Sequence, residues 1–246
     1  MGYIRTKGIV IKEVNTGEAD KVVTIFSAHS GKITGYAKGA RRPKSRLAAG
    51  TQFLCYSDLV LFKGKELCNI YSSDVIDSFY ELREDIVKLT YSAHMVDLIS
   101  DVVMENQPAS KVLQLFLNTL HVLAKTDRSP ELVTRVFELR LLSLLGYAPY
   151  VRGCIQCGKS ELEDTYFSFK KCGFLCEECL INDTYASKIS KGTAKAMNFI
   201  IHAPLRLLFN FALSKEALEE LGKIVKKYLR ERLDKDYTKL DFLKCL

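Results

Sequence analysis

The sequence predicts an α+β chain: a small closed barrel of five strands, followed by a helical domain that carries a cysteine-rich insert. Three observations lead there. Up to about Phe79, apolar residues alternate in short runs broken by Gly and charge; from about Glu81 they recur at three- and four-residue steps; and five of the eight cysteines fall between Gly153 and Leu180. With 246 residues, 48% hydrophobic and 26% charged, the chain has material for two modest domains, expected at 1–79 and 80–246.

The five strand candidates are 3–14, 21–27, 31–38, 51–62 and 66–76. Ala28-His29-Ser30-Gly31 and Lys63-Gly64-Lys65 supply hairpin turns between the second and third and between the last two. A sheet this small exposes two edges unless it closes, hence the barrel. Between the third and fourth strands lies Gly39-Ala40-Arg41-Arg42-Pro43-Lys44-Ser45-Arg46, too polar and proline-broken for a core and expected as an exposed basic loop.

One long helix is expected from about Glu81, its apolar stripe made by Ile86, Leu89, Ala93, Val96, Ile99 and Val103. A second follows Pro108 and Ser110 over 111–125. For the third, Ser129 caps, Pro130 suits the first position, Glu131 complements the dipole and Gly146 suits the exit. Its body, 132–145, is apolar on most sides and should be central. Two more helices are expected at 192–202 and 214–233, the latter capped by Ser214, with Leu218, Leu221, Val225, Tyr228 and Leu229 on one face.

The net charge of +7 is unevenly laid out. Residues 1–50 hold ten Lys/Arg against three Asp/Glu, so the rest of the chain is neutral. Lys21, Lys32, Lys38, Arg41, Arg42, Lys44 and Arg46 follow one another with no acid between Asp20 and Asp58. That pattern points to a polyanion, and a cationic loop on a barrel can follow a phosphate backbone. Tyr36 precedes the loop and is read either as a ring that stacks on a base or as barrel core.

Cys154 and Cys157 form one CxxC and Cys176 and Cys179 another, eighteen residues apart. Two such turns complete the four-thiolate shell that zinc favours, so a zinc ribbon or finger is expected at about 150–185. A closed shell has no open position for substrate, which makes the metal structural. A redox CxxC would need only one pair in a βαβ setting, and structural disulfides would need an oxidising compartment. Cys172 could replace Cys176 as a ligand, although it lacks a partner at CxxC spacing. Cys55 and Cys68 read as small buried apolar residues, and Cys245 stands apart.

Catalysis is not expected. His29, His94, His121 and His202 are isolated, and the chain has no HExxH, GxxxxGK[ST] or GxSxG. The N-terminus lacks a signal-peptide core and no stretch reaches ~18 apolar residues, so a cytoplasmic protein with no membrane contact is expected.

The stretch GIVIKEVNTGEADKVVTIFSAHSGKITGYAKGARRPKS, residues 8–45, resembles the opening of the RecO family of bacterial DNA repair and recombination mediators. FELRLLSLLGYAPYVRGCIQCG, residues 137–158, is similar to that family's central helix running into its zinc module. The resemblance covers nearly the whole chain and implies an N-terminal OB fold and a helical C-terminal domain with a zinc module. It also implies binding of single- and double-stranded DNA, annealing of complementary strands, and action with RecR to load RecA onto DNA coated by single-strand-binding protein. The family also recognises that protein's acidic C-terminal tail; Arg135 matches a basic position of the pattern and is the candidate for the tail's carboxylate, with Arg140 second. Both arginines could equally be solvated helix residues. Members usually carry Gly-Gly before the second CxxC; here Cys172-Gly173 stands there, which leaves the ligand assignment slightly open, with Cys154, Cys157, Cys176 and Cys179 expected as ligands and Cys172 as a bystander. The competing reading is a protein-interaction adaptor with incidental DNA contact.

Overall fold

The structure, a computed structural model, describes residues 2–64, 67–183 and 185–245, without the side chains of Asn182, Lys244 and Cys245. Lys65 of the expected hairpin turn, Glu66 at the expected start of the fifth strand and the side chain of Cys245 therefore lie outside the described residues. The chain divides into two compact units, Met1–Thr126 with Lys239–Leu246, and Asp127–Thr238.

The first unit begins with the barrel: β1 (Tyr3–Thr16), β2 (Asp20–Ser27), β3 (Gly31–Ala37), β4 (Tyr56–Lys63) and β5 (Cys68–Asp77). The strands close in the order β1-β2-β3-β5-β4, every pairing antiparallel except β3 with β5. A register shift between Val10 and Lys12 bends β1, which pairs with β2 along one length and with β4 along another. The expected alternation is realised inside: Val10, Val23, Ile25, Leu59, Leu61 and Ile70 form the core. Gly31 opens β3 at φ 59°, where a Cβ would run into the carbonyl oxygen of Met104 and lie 2.7 Å from that of Gln107. Gly31→Ala is therefore expected to destabilise this unit by roughly 2–4 kcal/mol, since both the left-handed conformation and the backbone contact oppose it. Equilibrium denaturation checks this; a loss below about 0.5 kcal/mol would show that the hairpin shifts freely.

Two expectations are corrected. The fourth strand starts at Tyr56 rather than 51. Residues 51–55 are apolar because Thr51, Leu54 and Cys55 are buried, yet they run as turns, with Leu54 at φ 65°. The long helix is broken: α1 (Tyr80–Glu84) stops at Asp85, whose extended backbone and side chain cap α2 (Ile86–Val102) by accepting from Val87 N at 2.8 Å and Lys88 N at 3.1 Å. Ile86, at the first position of α2, is exposed, whereas Val96, Ile99 and Val103 of the expected stripe are buried, joined by Met95 and Leu98. Helix α3 (Ser110–Lys125) follows, and the 3-10 segment Lys239–Cys245 returns to pack on α2.

In the second unit, α4 (Pro130–Leu144) begins as read, Ser129 Oγ accepting from Leu132 N, and ends at Gly146 with φ 93°. Val133, Val136, Phe137, Leu139, Leu141 and Leu142 are buried, which makes α4 the central helix of the unit. Helices α5 (Lys191–His202) and α6 (Lys215–Leu233) pack on it, capped by Ser190 and Ser214. The insert adds three short strands, β6 (Thr165–Ser168), β7 (Gly173–Leu175) and β8 (Ser187–Ile189), in the order β7-β6-β8. At three or four residues they are too short for an alternation to be legible.

Candidate nucleic-acid interface and metal centre

The basic loop leaves the barrel as a chain of tight turns: Arg42 N to Gly39 O at 3.0 Å, Ser45 N to Arg42 O at 3.1 Å and Ala48 N to Ser45 O at 3.2 Å. Ala40 and Leu47 enter the barrel core, so the loop is pinned from within at two points despite its polar composition. Between these anchors the charged side chains are driven outward: Arg41, Arg42, Lys44 and Arg46 are exposed, as is Lys38 just before them. None of the five forms an ion pair with a carboxylate among the described residues. Arg41 fastens the loop to the β1–β2 turn, its backbone N–H donating to Ala19 O at 2.8 Å and its guanidinium to Glu18 O at 3.3 Å.

Asp20 is the loop's polar root. One oxygen accepts from the Tyr36 hydroxyl and the other from Gly39 N at 2.6 Å. These hydrogen bonds, Tyr36 first, hold its carboxyl below the usual range, and the nearby Lys38 and Arg42 act in the same sense. Asp20 is thus engaged with the loop's frame, leaving the cations outward. In five-stranded barrels of this type, strands two and three and the loops after the first and fourth strands form the oligonucleotide face. The basic loop is hydrogen-bonded to the first of those two loops.

The other residues of the charge run are placed differently. Lys21 is only 14% exposed at its side chain and pairs with Glu13 at 2.7 Å across the β1–β2 ladder. Lys32 donates to the carbonyl of Ser100 at 2.6 Å. Tyr36 is half-buried with its hydroxyl on Asp20, which fixes the ring at the loop's base. Lys21 and Lys32 thus serve the fold of this unit, and the outward group narrows to Lys38, Arg41, Arg42, Lys44 and Arg46.

Arg135 and Arg140 are likewise turned inward. Arg135 Nη1 meets both oxygens of Glu138 at 2.8 and 3.1 Å, with Glu138 2% exposed at its side chain. The i,i+3 spacing on α4 is the signal that foretells this pair. Arg140 donates to the carbonyls of Ile200 and Ile201 and, at 3.0 Å, of Ala203, satisfying the last carbonyls of α5. Burial lowers its pKa. Elsewhere in this unit a cleft of about 610 Å³ lies between the insert and α5, walled by Val151, Leu162 and Phe174 and bearing Arg152, Lys191 and Lys195 with one acid, Glu161. Arg152 Nε is held 3.2 Å from His202 Nε2.

The four CxxC thiols converge. The Sγ atoms of Cys154, Cys157, Cys176 and Cys179 all lie within 4.8 Å of one another, Cys157 to Cys176 at 3.7 Å. Tetrahedral metal–thiolate bonds of ~2.3 Å require sulfurs about 3.8 Å apart, so the set can hold a metal ion. The first knuckle is closed by Cys154 N to Lys159 O at 2.8 Å and Gly158 N to Cys154 O at 2.9 Å, the second by Cys179 N to Cys176 O at 3.1 Å. A side chain at Gly153 would come 2.5 Å from the Lys159 carbonyl oxygen, which explains glycine at that position. Burial raises the Cys154 thiol, but the backbone N–H groups of Cys157, Cys176 and Gln156 outweigh it and bring its pKa to about 6. Hydrogen bonding to Cys176, then burial, pushes Cys179 up to about 12. Cys172 stays outside it, its thiol on Phe169 O at 3.6 Å, and the seven cysteines whose side chains are described are all free.

A closed, OB-like barrel bearing an outward cationic loop, followed by a helical unit with a four-thiol cage, is the build of a nucleic-acid-associated class. The comparisons give it a family. The family described as Recombination protein O N terminal matches residues 1–79, and Recombination protein O C terminal matches 83–241. The chain is 61% identical over 246 residues to a DNA repair protein RecO of Acetivibrio thermocellus, covering 100% of this chain and 98% of that one. It is 35% identical over 246 residues to one of Caldicellulosiruptor saccharolyticus, covering all of both, and 34% identical over 242 residues to one of Alkaliphilus metalliredigens, covering 98% of each. The chain belongs to the RecO family of DNA repair proteins. No described helix is long and apolar enough to cross a membrane.

Proposed function

We propose that this protein binds single- and double-stranded DNA through the barrel loop, anneals complementary strands, and with RecR helps load RecA onto DNA coated by single-strand-binding protein. The observation that carries the reading is the set of five outward cations, Lys38, Arg41, Arg42, Lys44 and Arg46, on a loop rooted in the barrel. Screening of two phosphate backbones lets complementary bases meet, and no phosphodiester bond is cut. The four-cysteine cage holds zinc in a structural role, with all four positions filled by protein.

Capture of the single-strand-binding protein's tail fits the cleft beside α5 better than Arg135 or Arg140, whose guanidinium groups already bind within the unit. The cleft combines apolar walls with three cations, Arg152, Lys191 and Lys195, against one acid, Glu161, a positive balance that suits an acidic peptide with an apolar end.

One titration tests both parts. A labelled single strand is expected to bind with an affinity that falls steeply as salt rises; a flat salt response would favour the adaptor reading. In the second arm, an acidic peptide with a free C-terminal carboxylate is expected to lose at least about tenfold in affinity with Lys191→Glu and Lys195→Glu together. Unchanged peptide binding in that folded variant would remove the cleft from the account.

A further inference from the structure

The exposed face of α6 is segregated by charge. Its first turns carry Lys215, Glu216, Glu219 and the half-buried Glu220, which lies near Lys223; the next two carry Lys223, Lys226, Lys227 and Arg230, these four exposed, with no acid between Leu221 and Arg230 and Glu231 just beyond. At 100° per residue the four cations fall within one third of the helix circumference, and at 1.5 Å per residue they extend along about 10 Å of it. Complementing the helix dipole would need cations only in the last turn. A second element reinforces the group. The β6–β7 turn brings Phe169 against α6, with Lys227 Nζ 3.9 Å from the ring centroid and Arg232 Nη2 donating to Phe169 O at 3.2 Å. The next residue, Lys170, is exposed on the same turn. Among the described residues, Lys223, Lys226 and Lys227 form no ion pair, and Arg230 approaches Asp236 only at 3.9 Å.

We infer that this patch, Lys170 with Lys223, Lys226, Lys227 and Arg230, is a second polyanion site whose ligand is the phosphodiester backbone of another nucleic-acid strand. The inference rests on the annealing function proposed above and adds to it. A protein that brings two strands together needs a hold on each, and the second unit supplies cations independent of the barrel loop. The packing of Lys227 on Phe169 fixes that ammonium group before a strand arrives.

The test uses the full chain with two non-complementary single strands carrying a donor and an acceptor fluorophore, with zinc content and circular dichroism as fold controls. Lys223, Lys226, Lys227 and Arg230 are replaced together by Gln. The variant is expected to bind the first strand within about twofold of the parent, while joint capture of both strands and the annealing rate fall at least about tenfold. The charge-keeping Lys→Arg changes at 223, 226 and 227 are expected to retain capture. Undiminished joint capture in the folded Gln variant overturns the inference, as does loss of the first strand, which would make α6 the primary site. Displacement of the second strand by polyglutamate at concentrations where it leaves the first bound, with no capture lost on Gln substitution, would overturn it by assigning the effect elsewhere. If the unaltered chain retains no strand at all, the barrel reading itself fails, a result distinguishable because the first signal is missing.

Discussion

Replacing Arg41, Arg42, Lys44 and Arg46 together by Gln is expected to lower single-strand affinity about 10²–10³-fold at 0.1 M salt and to reduce the slope of log affinity against log salt by about 3. The magnitude follows from counterion release, at roughly 0.7 ions for each phosphate contact on a single strand. The variant should fold normally. All four side chains are exposed; Arg41→Gln gives up the guanidinium bond to Glu18 O at 3.3 Å but keeps the backbone bond to Ala19 O, and Ala40 and Leu47 in the core and Gly39 on Asp20 are untouched. Under the proposed function annealing should fall in parallel, since loop cations would screen the two backbones. Binding and annealing that persist unchanged would mean that the loop's charges only keep it solvated. A control follows from the geometry: Lys21→Gln removes a cation already paired with Glu13 and should shift the slope by well under one.

The second large effect is expected at the cage. Cys154→Ser should abolish stoichiometric zinc and unfold the insert, since Cys154 is fully buried and its knuckle holds Ile155 N to Phe174 O on β7. Apparent binding energies of structural zinc, about 10–16 kcal/mol in zinc-finger peptides, match or exceed the whole stability of a typical domain, about 5–15 kcal/mol. The melting transition of the second unit should therefore move down or vanish, with new protease cuts within the insert, while that of the barrel stays in place. Cys172→Ser should retain one zinc per chain, because its thiol lies on Phe169 O outside the cluster. Metal analysis and limited proteolysis read both; zinc retained by Cys154→Ser and lost by Cys172→Ser would reverse the ligand assignment.

The barrel and the cage were legible in the sequence for different reasons. Strands facing one core and solvent repeat every second residue, and metal ligands must sit at knuckle spacing, so both leave a local record. What the sequence concealed depends on partners distant in the chain. Lys21 and Arg41 look alike in the charge run; only the β1–β2 register, with Asn15 opposite Lys21 and Glu13 two residues further along, brings a carboxylate to the first. The break at Asp85 was marked by its residue type, but the apolar repeat continues across it and masks the stop. Arg140 reads as a candidate for a partner's carboxylate, or as a solvated residue, because nothing local shows that the end of α5, sixty residues on, needs its donors. The cationic half of α6 was hidden by the neutral total of 51–246, in which its charges are cancelled by acids elsewhere.

The central claim is that outward cations on the barrel loop are the first contact with DNA. Photocrosslinking of a substoichiometric iodouracil-containing single strand, followed by peptide mapping, tests it most directly. Crosslinks should concentrate in residues 36–46 and disappear when salt is raised enough to abolish binding; crosslinks confined to 127–238, with the loop peptide unmodified, would contradict it.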